Sequence, residues 1–142
     1  MYPVFLKLDG RSVLIVGGGP AAAGKLEGLL AAGAKVTVVA PEIRPEFERA
    51  GVTRRRRAFE PHDLDGMWWV VAAAPSEVNQ QVVAAAERRQ LFVNAVDDPP
   101  NATAYLGGVV RRDGVSIDER RPQLLETLNR LYEERRLAAR RP

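Results

Sequence analysis

The chain has 142 residues, 46% hydrophobic and 27% charged, with a net charge of +3 from 21 basic and 18 acidic side chains. This is the length and mixture of one globular domain; it excludes wholesale disorder, and no apolar run approaches the roughly 18 residues of a membrane span. With no cysteine and one histidine, disulfides, thiol catalysis and a thiolate or His-rich metal centre are excluded.

The N-terminus, MYPVFLKLDGR, lacks a secretory signal pattern, so a cytoplasmic protein is expected. Ser12 to Val16 is a short apolar run bounded by Arg11 and Gly17, the composition of a buried parallel strand. Residues 20–32 have helical composition, and Gly33 fits a helix stop. Lys35 to Ala40 is a second β-branched run, ended by Pro41. Residues 43–50 read as a short helix closed by Gly51. Val52 to Phe59 is extended but carries Arg54, Arg55, Arg56 and Arg57, which places it at or near a sheet edge with its arginines in solvent. His62, in a turn and helix start, reads as structural or solvent-facing.

Met67 to Ala73 is a further buried strand. Its Trp68 and Trp69 point to opposite faces, with packing between sheet and helix as their default role. Ser76 is a plausible N-cap for a helix over 77–89. Leu91 to Val96 is the fifth strand. Strands alternating with helices predict a Rossmann-like, doubly wound α/β parallel sheet with right-handed crossovers. Tyr105 to Arg112 reads as one more strand. Residues 120–139 read as a helix with Pro122 in its first turn and an apolar stripe at Leu124, Leu125, Leu128, Leu131 and Tyr132. That stripe fits core or dimer contact.

Charge is unevenly placed. Residues 1–110 carry 12 basic and 12 acidic side chains, residues 111–142 carry 9 and 6, and 18 of the 21 basic residues are arginine. Most of the arginines have acidic neighbours, which argues against a nucleic-acid face.

The sharpest motif is Gly17-Gly18-Gly19-Pro20-Ala21-Ala22, a G-x-G-x-x-A run between a strand and a helix. That is the context of the dinucleotide fingerprint. Gly17 allows the tight turn, Gly19 lets a pyrophosphate approach the backbone, and Ala22 allows close helix–strand packing. The helix N-terminus points its amides at the phosphates. No Asp or Glu ends the second strand itself; Glu42 lies two residues late, within reach of an adenosine ribose, and Arg44 would favour a 2′-phosphate. NAD is the expected cofactor, because Glu42 repels a phosphate.

The run YPVFLKLDGRSVLIVGGGPAAAGK, then VTVVAPE, FEPHDLDGMWWVVAAAPSEVNQQV and FVNAVDDPPNATAYLGGVVRRDG resembles precorrin-2 dehydrogenase, the N-terminal module of siroheme synthase, over about residues 2–115. Val93-Asn94-Ala95-Val96-Asp97-Asp98 is its most specific piece. The resemblance implies NAD-dependent oxidation of precorrin-2 to sirohydrochlorin, with iron insertion in some members, and a homodimer. By position it assigns Gly17, Gly18, Gly19, Pro20 and Ala21 to the phosphate loop and Pro41 and Glu42 to the adenosine side. Ala73 and Ala74 fall at the strand edge beside the cofactor, and Asp97 in the active site. Asp98 is expected to be a turn or cap residue. Arg111 and Arg112 are candidate partners for the substrate's carboxylates, and no metal site is assigned, though Asp97 would equally help guide Fe²⁺.

The pattern departs after Gly114-Val115-Ser116, which passes straight to Ile117-Asp118-Glu119. The family's Ser/Thr-Gly-Ser-Pro-type segment has no counterpart there, through either a lost segment or a genuine shortening. The expected organisation is therefore an NAD-binding Rossmann domain over 1–112 and an incomplete dimerisation or helical region over 113–142. The rival function is a non-catalytic NAD-sensing module, which would share the glycine loop and need no Asp97. A Tyr-x-x-x-Lys reductase is excluded, since Tyr105 is followed by Leu106-Gly107-Gly108-Val109.

Overall fold

A computed structural model describes residues 1–106, and the backbone alone of residues 109–112 and 115–118. The chain divides into two compact units, Met1–Tyr105 and Leu106–Pro142.

The first unit is a five-stranded parallel sheet: β1 (Ser12–Val16), β2 (Lys35–Val39), β3 (Val52–Arg55), β4 (Trp69–Ala72) and β5 (Val93–Ala95). Its order is β3-β2-β1-β4-β5, the doubly wound order in which the direction of strand addition reverses at β1, between β1 and β4. Helix α1 (Pro20–Ala31) crosses from β1 to β2, and α2 (Ser76–Glu87) from β4 to β5.

Alternation along the strands sorts the core into two layers. Val13 and Ile15 of β1 pack with Ala22, Leu26 and Leu29 of α1 and with Val36, Val38 and Val71. Leu14 and Val16 pack on the other face with Val82, Ala85 and Ala86 of α2 and with Val70, Ala72 and Val93. Each central strand is therefore apolar on both faces, which explains the unbroken runs in the sequence.

Four local readings need correction. Residues 43–50 form a single 3-10 turn, Pro45–Phe47, because Arg44 before Pro45 is extended (ψ 153°) and Glu48 leaves helical geometry at once. Ser76 is the first residue of α2 and caps nothing; Pro75 holds the cap position. Trp69 is buried, but Trp68 is 61% exposed, and the Arg11 guanidinium lies over its ring at 3.9 Å. Tyr105 lies outside the expected strand, which covers Val109–Arg112 as β6 and pairs antiparallel with β7 (Val115–Asp118). Ser116 and Ile117 are consecutive residues of β7, opposite Arg111 and Val110. The proposed helix over 120–139 and its Leu124–Tyr132 stripe lie outside the described residues.

β3 is an edge strand, as its arginines require, but those arginines are not simply solvated. The strand stops at Arg55, short of the expected Phe59, and Arg55 at its end and Arg57 in the bend beyond it both reach Asp63, whose side chain is fully buried. Arg54 and Arg56 bond the Phe47 and Ile43 carbonyls. Asp63 also accepts the Glu60 N–H at 2.8 Å. Burial alone would raise its pKa; the Arg57 hydrogen bond, the Glu60 amide and Arg55 outweigh that and hold it below the usual carboxylate range.

A carboxyl whose pKa is lowered on folding stabilises above its unfolded pKa, and that contribution disappears as pH falls through the folded value. Asp63→Ala should therefore destabilise the protein by about 2 kcal/mol at neutral pH, through an orphaned amide and two unpaired guanidiniums. The deficit should shrink below roughly pH 4. Urea denaturation at pH 7 and pH 3 checks both statements.

Candidate functional site

The carboxyl ends of all five strands lie on one edge of the sheet, and ligands of such sheets bind beyond that edge at the reversal point. Here that point lies between β1 and β4, and the glycine loop fills it. Gly17 has φ 122°, and its N–H donates to the Val39 carbonyl at 2.9 Å. A Cβ at residue 17 would stand 2.3 Å from the Ala73 carbonyl oxygen. A Cβ at residue 18 would stand 2.1 Å from the Glu42 carbonyl oxygen, and Gly18 O accepts the Arg44 N–H at 3.0 Å. Backbone arriving from β4 and from β2 thus presses on these two positions and admits only glycine.

Gly19 is different. Its backbone is ordinary extended chain (φ −92°, ψ −165°), and a Cβ there would meet nothing within 4 Å. The fold does not need glycine at residue 19; open space above it is what an approaching ligand needs. Helix α1 then starts at Pro20 with no side-chain cap and no acidic residue in its first turn. Ala23 N–H bonds back to Gly19 O at 3.0 Å, while the amides of Ala21 and Ala22 have no acceptor among the described residues. Unpaired donors at a helix's positive end, with no carboxylate to compete, suit a pyrophosphate.

An open cleft of about 400 Å³ adjoins this loop, lined by Gly18, Gly19, Pro20, Glu42, Ile43 and Arg44. Pro41 and Glu42 follow β2 and are exposed. Glu42 makes no ion pair among the described residues. A concavity of similar volume lies at the other, amino-terminal edge of the sheet, between Ser12, Lys35 and Thr53, away from the loop.

Ala73 N–H donates to Val16 O at 2.8 Å, and its carbonyl covers Gly17. Ala74 N–H donates to Asn79 Oδ1 at 3.1 Å. The buried Asn79 donates in turn from Nδ2 to Asp98 Oδ2 at 3.0 Å, and Asn101 donates to the same oxygen at 2.8 Å and to Ser76 Oγ at 3.1 Å. These bonds tie the ends of β4 and β5 to the start of α2. The Asn101 amide, then that of Asn79, holds the Asp98 carboxyl below its ordinary range.

Asp97, immediately before, makes none of these bonds. It is exposed, and its φ is 54°, in the left-handed region. Val96 N–H, bonded to Ala72 O at 2.8 Å, anchors the chain one residue earlier. The two adjacent carboxylates are thereby divided: Asp98 braces the loop, and Asp97 projects free from it. Sequence alone points to a turn or cap role for Asp98 and does not single out Asn79 as its partner. The signal was there, since Asn79 shares the buried stripe of α2 with Val82, Ala85 and Ala86, and a polar group on such a stripe must find partners. His62 is exposed and 3.2 Å from Glu60. Arg111 and Arg112 belong to the second unit, on β6 opposite Ser116 and Val115.

A family model described as "Putative NAD(P)-binding" matches residues 4–108. The chain is 40% identical over 136 residues to siroheme synthase 2 of Aeromonas hydrophila subsp. hydrophila, covering 94% of this chain and 29% of that protein. It is 44% identical over 114 residues to siroheme synthase of Chromobacterium violaceum, covering 77% of this chain and 24% of the relative. The chain thus spans under a third of these relatives' length. Among solved structures, the precorrin-2 dehydrogenase SirC superposes with a TM-score of 0.69 at 28% identity, covering 95% of this chain and 71% of that one. The apo D-lactate dehydrogenase of Escherichia coli, at TM-score 0.50 and 13% identity, shares the fold over 63% of this chain and 30% of its own. With the reversed sheet order, the glycine cradle and the uncapped helix start all falling inside the matched residues, the chain belongs to this NAD(P)-binding family.

Proposed function

We propose that this chain carries out the NAD-dependent dehydrogenation of precorrin-2 to sirohydrochlorin. The observation that carries the reading is Asp97. It is an exposed carboxylate, held in a left-handed backbone conformation at the end of β5, on the sheet edge that bears the glycine cradle. Backbone in that region costs free energy for a residue with a side chain, and such outliers cluster at functional sites. Similarity to siroheme synthases and to a precorrin-2 dehydrogenase supports the choice of substrate.

The nicotinamide supplies a two-electron acceptor for one hydride. Gly19, Ala21 and Ala22 hold the pyrophosphate through backbone amides, Pro41 and Glu42 border the adenosine, and Ala73 and Ala74 border the cofactor at the end of β4. Overall, one C–H bond of the tetrapyrrole gives up its hydrogen with the electron pair, and one proton leaves to a base. Asp97 takes that proton, and its exposure lets it pass the proton on to water. Arg111 and Arg112 are proposed as guanidinium partners for the substrate's carboxylates.

The proposal extends to a homodimer, which the family resemblance implies, and to a cytoplasmic setting, which rests on the absence of a signal pattern at the N-terminus and of cysteine. Among the described residues no helix is long and apolar enough to cross a membrane. Insertion of Fe²⁺ into the product would draw on the same carboxylate to remove pyrrole protons. Among the described residues no three His, Cys, Asp or Glu side chains cluster. The deciding experiment mixes the protein with NAD and precorrin-2 and follows absorbance. Appearance of the sirohydrochlorin spectrum with stoichiometric NADH supports the reading; NAD binding without turnover favours the sensing module.

A further inference from the structure

The cleft beside the glycine loop carries two charged residues of opposite sign, Glu42 and Arg44. The position of Arg44 is set by its backbone, whose N–H is bonded to Gly18 O at 3.0 Å. Its guanidinium is turned onto Glu46. Nε donates to the two carboxylate oxygens at 3.1 and 3.2 Å, and Nη2 donates to Oε1 at 2.7 Å. Both side chains are about half exposed, 47% and 49%, so burial does not impose the pairing. The turn does: Pro45 stands between the two residues, and Phe47, wholly buried, pins its far end.

We propose that Glu46 is a specificity-determining residue, occupying the guanidinium fork of Arg44 and so withholding it from a dinucleotide that bears a phosphate on the adenosine 2′-hydroxyl. This rests on the cofactor site proposed above. A ribose hydroxyl needs only an acceptor, which Glu42 supplies. A 2′-phosphate is well matched by the planar fork of an arginine. It would have to displace Glu46 from Arg44 while facing the charges of both Glu42 and Glu46. Discrimination against the phosphorylated cofactor then lies in a neighbouring carboxylate as well as in the residue that meets the ribose.

The test is calorimetric titration of the full chain with NAD and with NADP. Wild type should favour NAD. Glu46→Gln preserves size at an exposed position and removes the competing charge; it should shift the affinity ratio toward NADP by roughly tenfold at low salt. The shift should contract in about 0.5 M salt, because the groups are exposed. In the double variant Arg44→Ala/Glu46→Gln the shift should vanish. An unchanged ratio in folded Glu46→Gln overturns the inference alone. So does a shift that survives loss of Arg44, since the guanidinium would then not be what Glu46 withholds. Wild type that binds neither dinucleotide overturns the cofactor site and the inference together.

Discussion

Asp97→Asn is expected to lower precorrin-2 dehydrogenation by about 10²-fold or more while leaving NAD affinity near that of wild type. Asparagine is the informative replacement. It matches aspartate in size, tolerates the left-handed conformation at φ 54°, and has no carboxylate to accept a proton. Alanine at the same position would add backbone strain to the chemical change and blur the result. Asp97→Gly should separate the two in the other direction, with stability raised by up to about 1 kcal/mol through relief of the strained φ, and turnover lost. Asp98→Ala should leave the proton-accepting group in place and act instead through the loop, because it removes the acceptor shared by Asn79 and Asn101. Steady-state rates at saturating substrate, with folding checked by thermal melts, decide between these roles. Equal rates for wild type and Asp97→Asn would remove Asp97 from the mechanism.

Substitutions in the glycine loop should fall into two opposite classes. Gly19→Val should fold normally, since its backbone angles suit valine and its Cβ meets nothing within 4 Å. It should nevertheless bind NAD about 10²-fold more weakly, the equivalent of losing one or two charge-assisted backbone contacts to the pyrophosphate. Gly17→Ala should do the reverse of folding normally. A Cβ 2.3 Å from a backbone carbonyl, on a residue at φ 122°, cannot be relieved by a rotamer change, and about 3 kcal/mol or more of stability should be lost. Denaturant midpoints and NAD titrations on the two variants give the comparison. Unchanged NAD affinity in folded Gly19→Val would place the cofactor elsewhere.

The readings that held are those set by short-range signals. β1 and β2 are short runs rich in β-branched residues with a glycine or proline close after them, and the α1 boundaries follow from Pro20 and Gly33. The edge position of β3 follows from four adjacent arginines. Readings that failed depended on competition between neighbours or on distant partners. The segment over 43–50 has helical composition, but the residue before Pro45 is driven out of helical geometry. Ser76 has a capping side chain, yet a register one residue earlier puts Pro75 at the cap.

The arrangement around Asp98 joins residues 19 apart to Asn79, and Asn101 meets Ser76 across 25 residues. Only the polar break in the α2 stripe hinted at it. That Arg55 and Arg57 converge on one buried aspartate is not legible in a run of four arginines, because the strand ends at Arg55 and the bend beyond it aims Arg57 at Asp63. The contrast between Gly18 and Gly19 is not legible in a run of three identical residues, because it depends on where the chain after β2 comes to rest.

The bare start of α1 has a thermodynamic consequence. A helix whose first turn has no capping or acidic side chain leaves part of its stability to be supplied from solution. Whatever anion settles there is then linked to folding by mass action, contributing RT ln(1 + [L]/Kd), or about 2.7 kcal/mol at a hundredfold excess over Kd. With the dinucleotide seated there as proposed, the melting temperature is expected to rise with dinucleotide concentration.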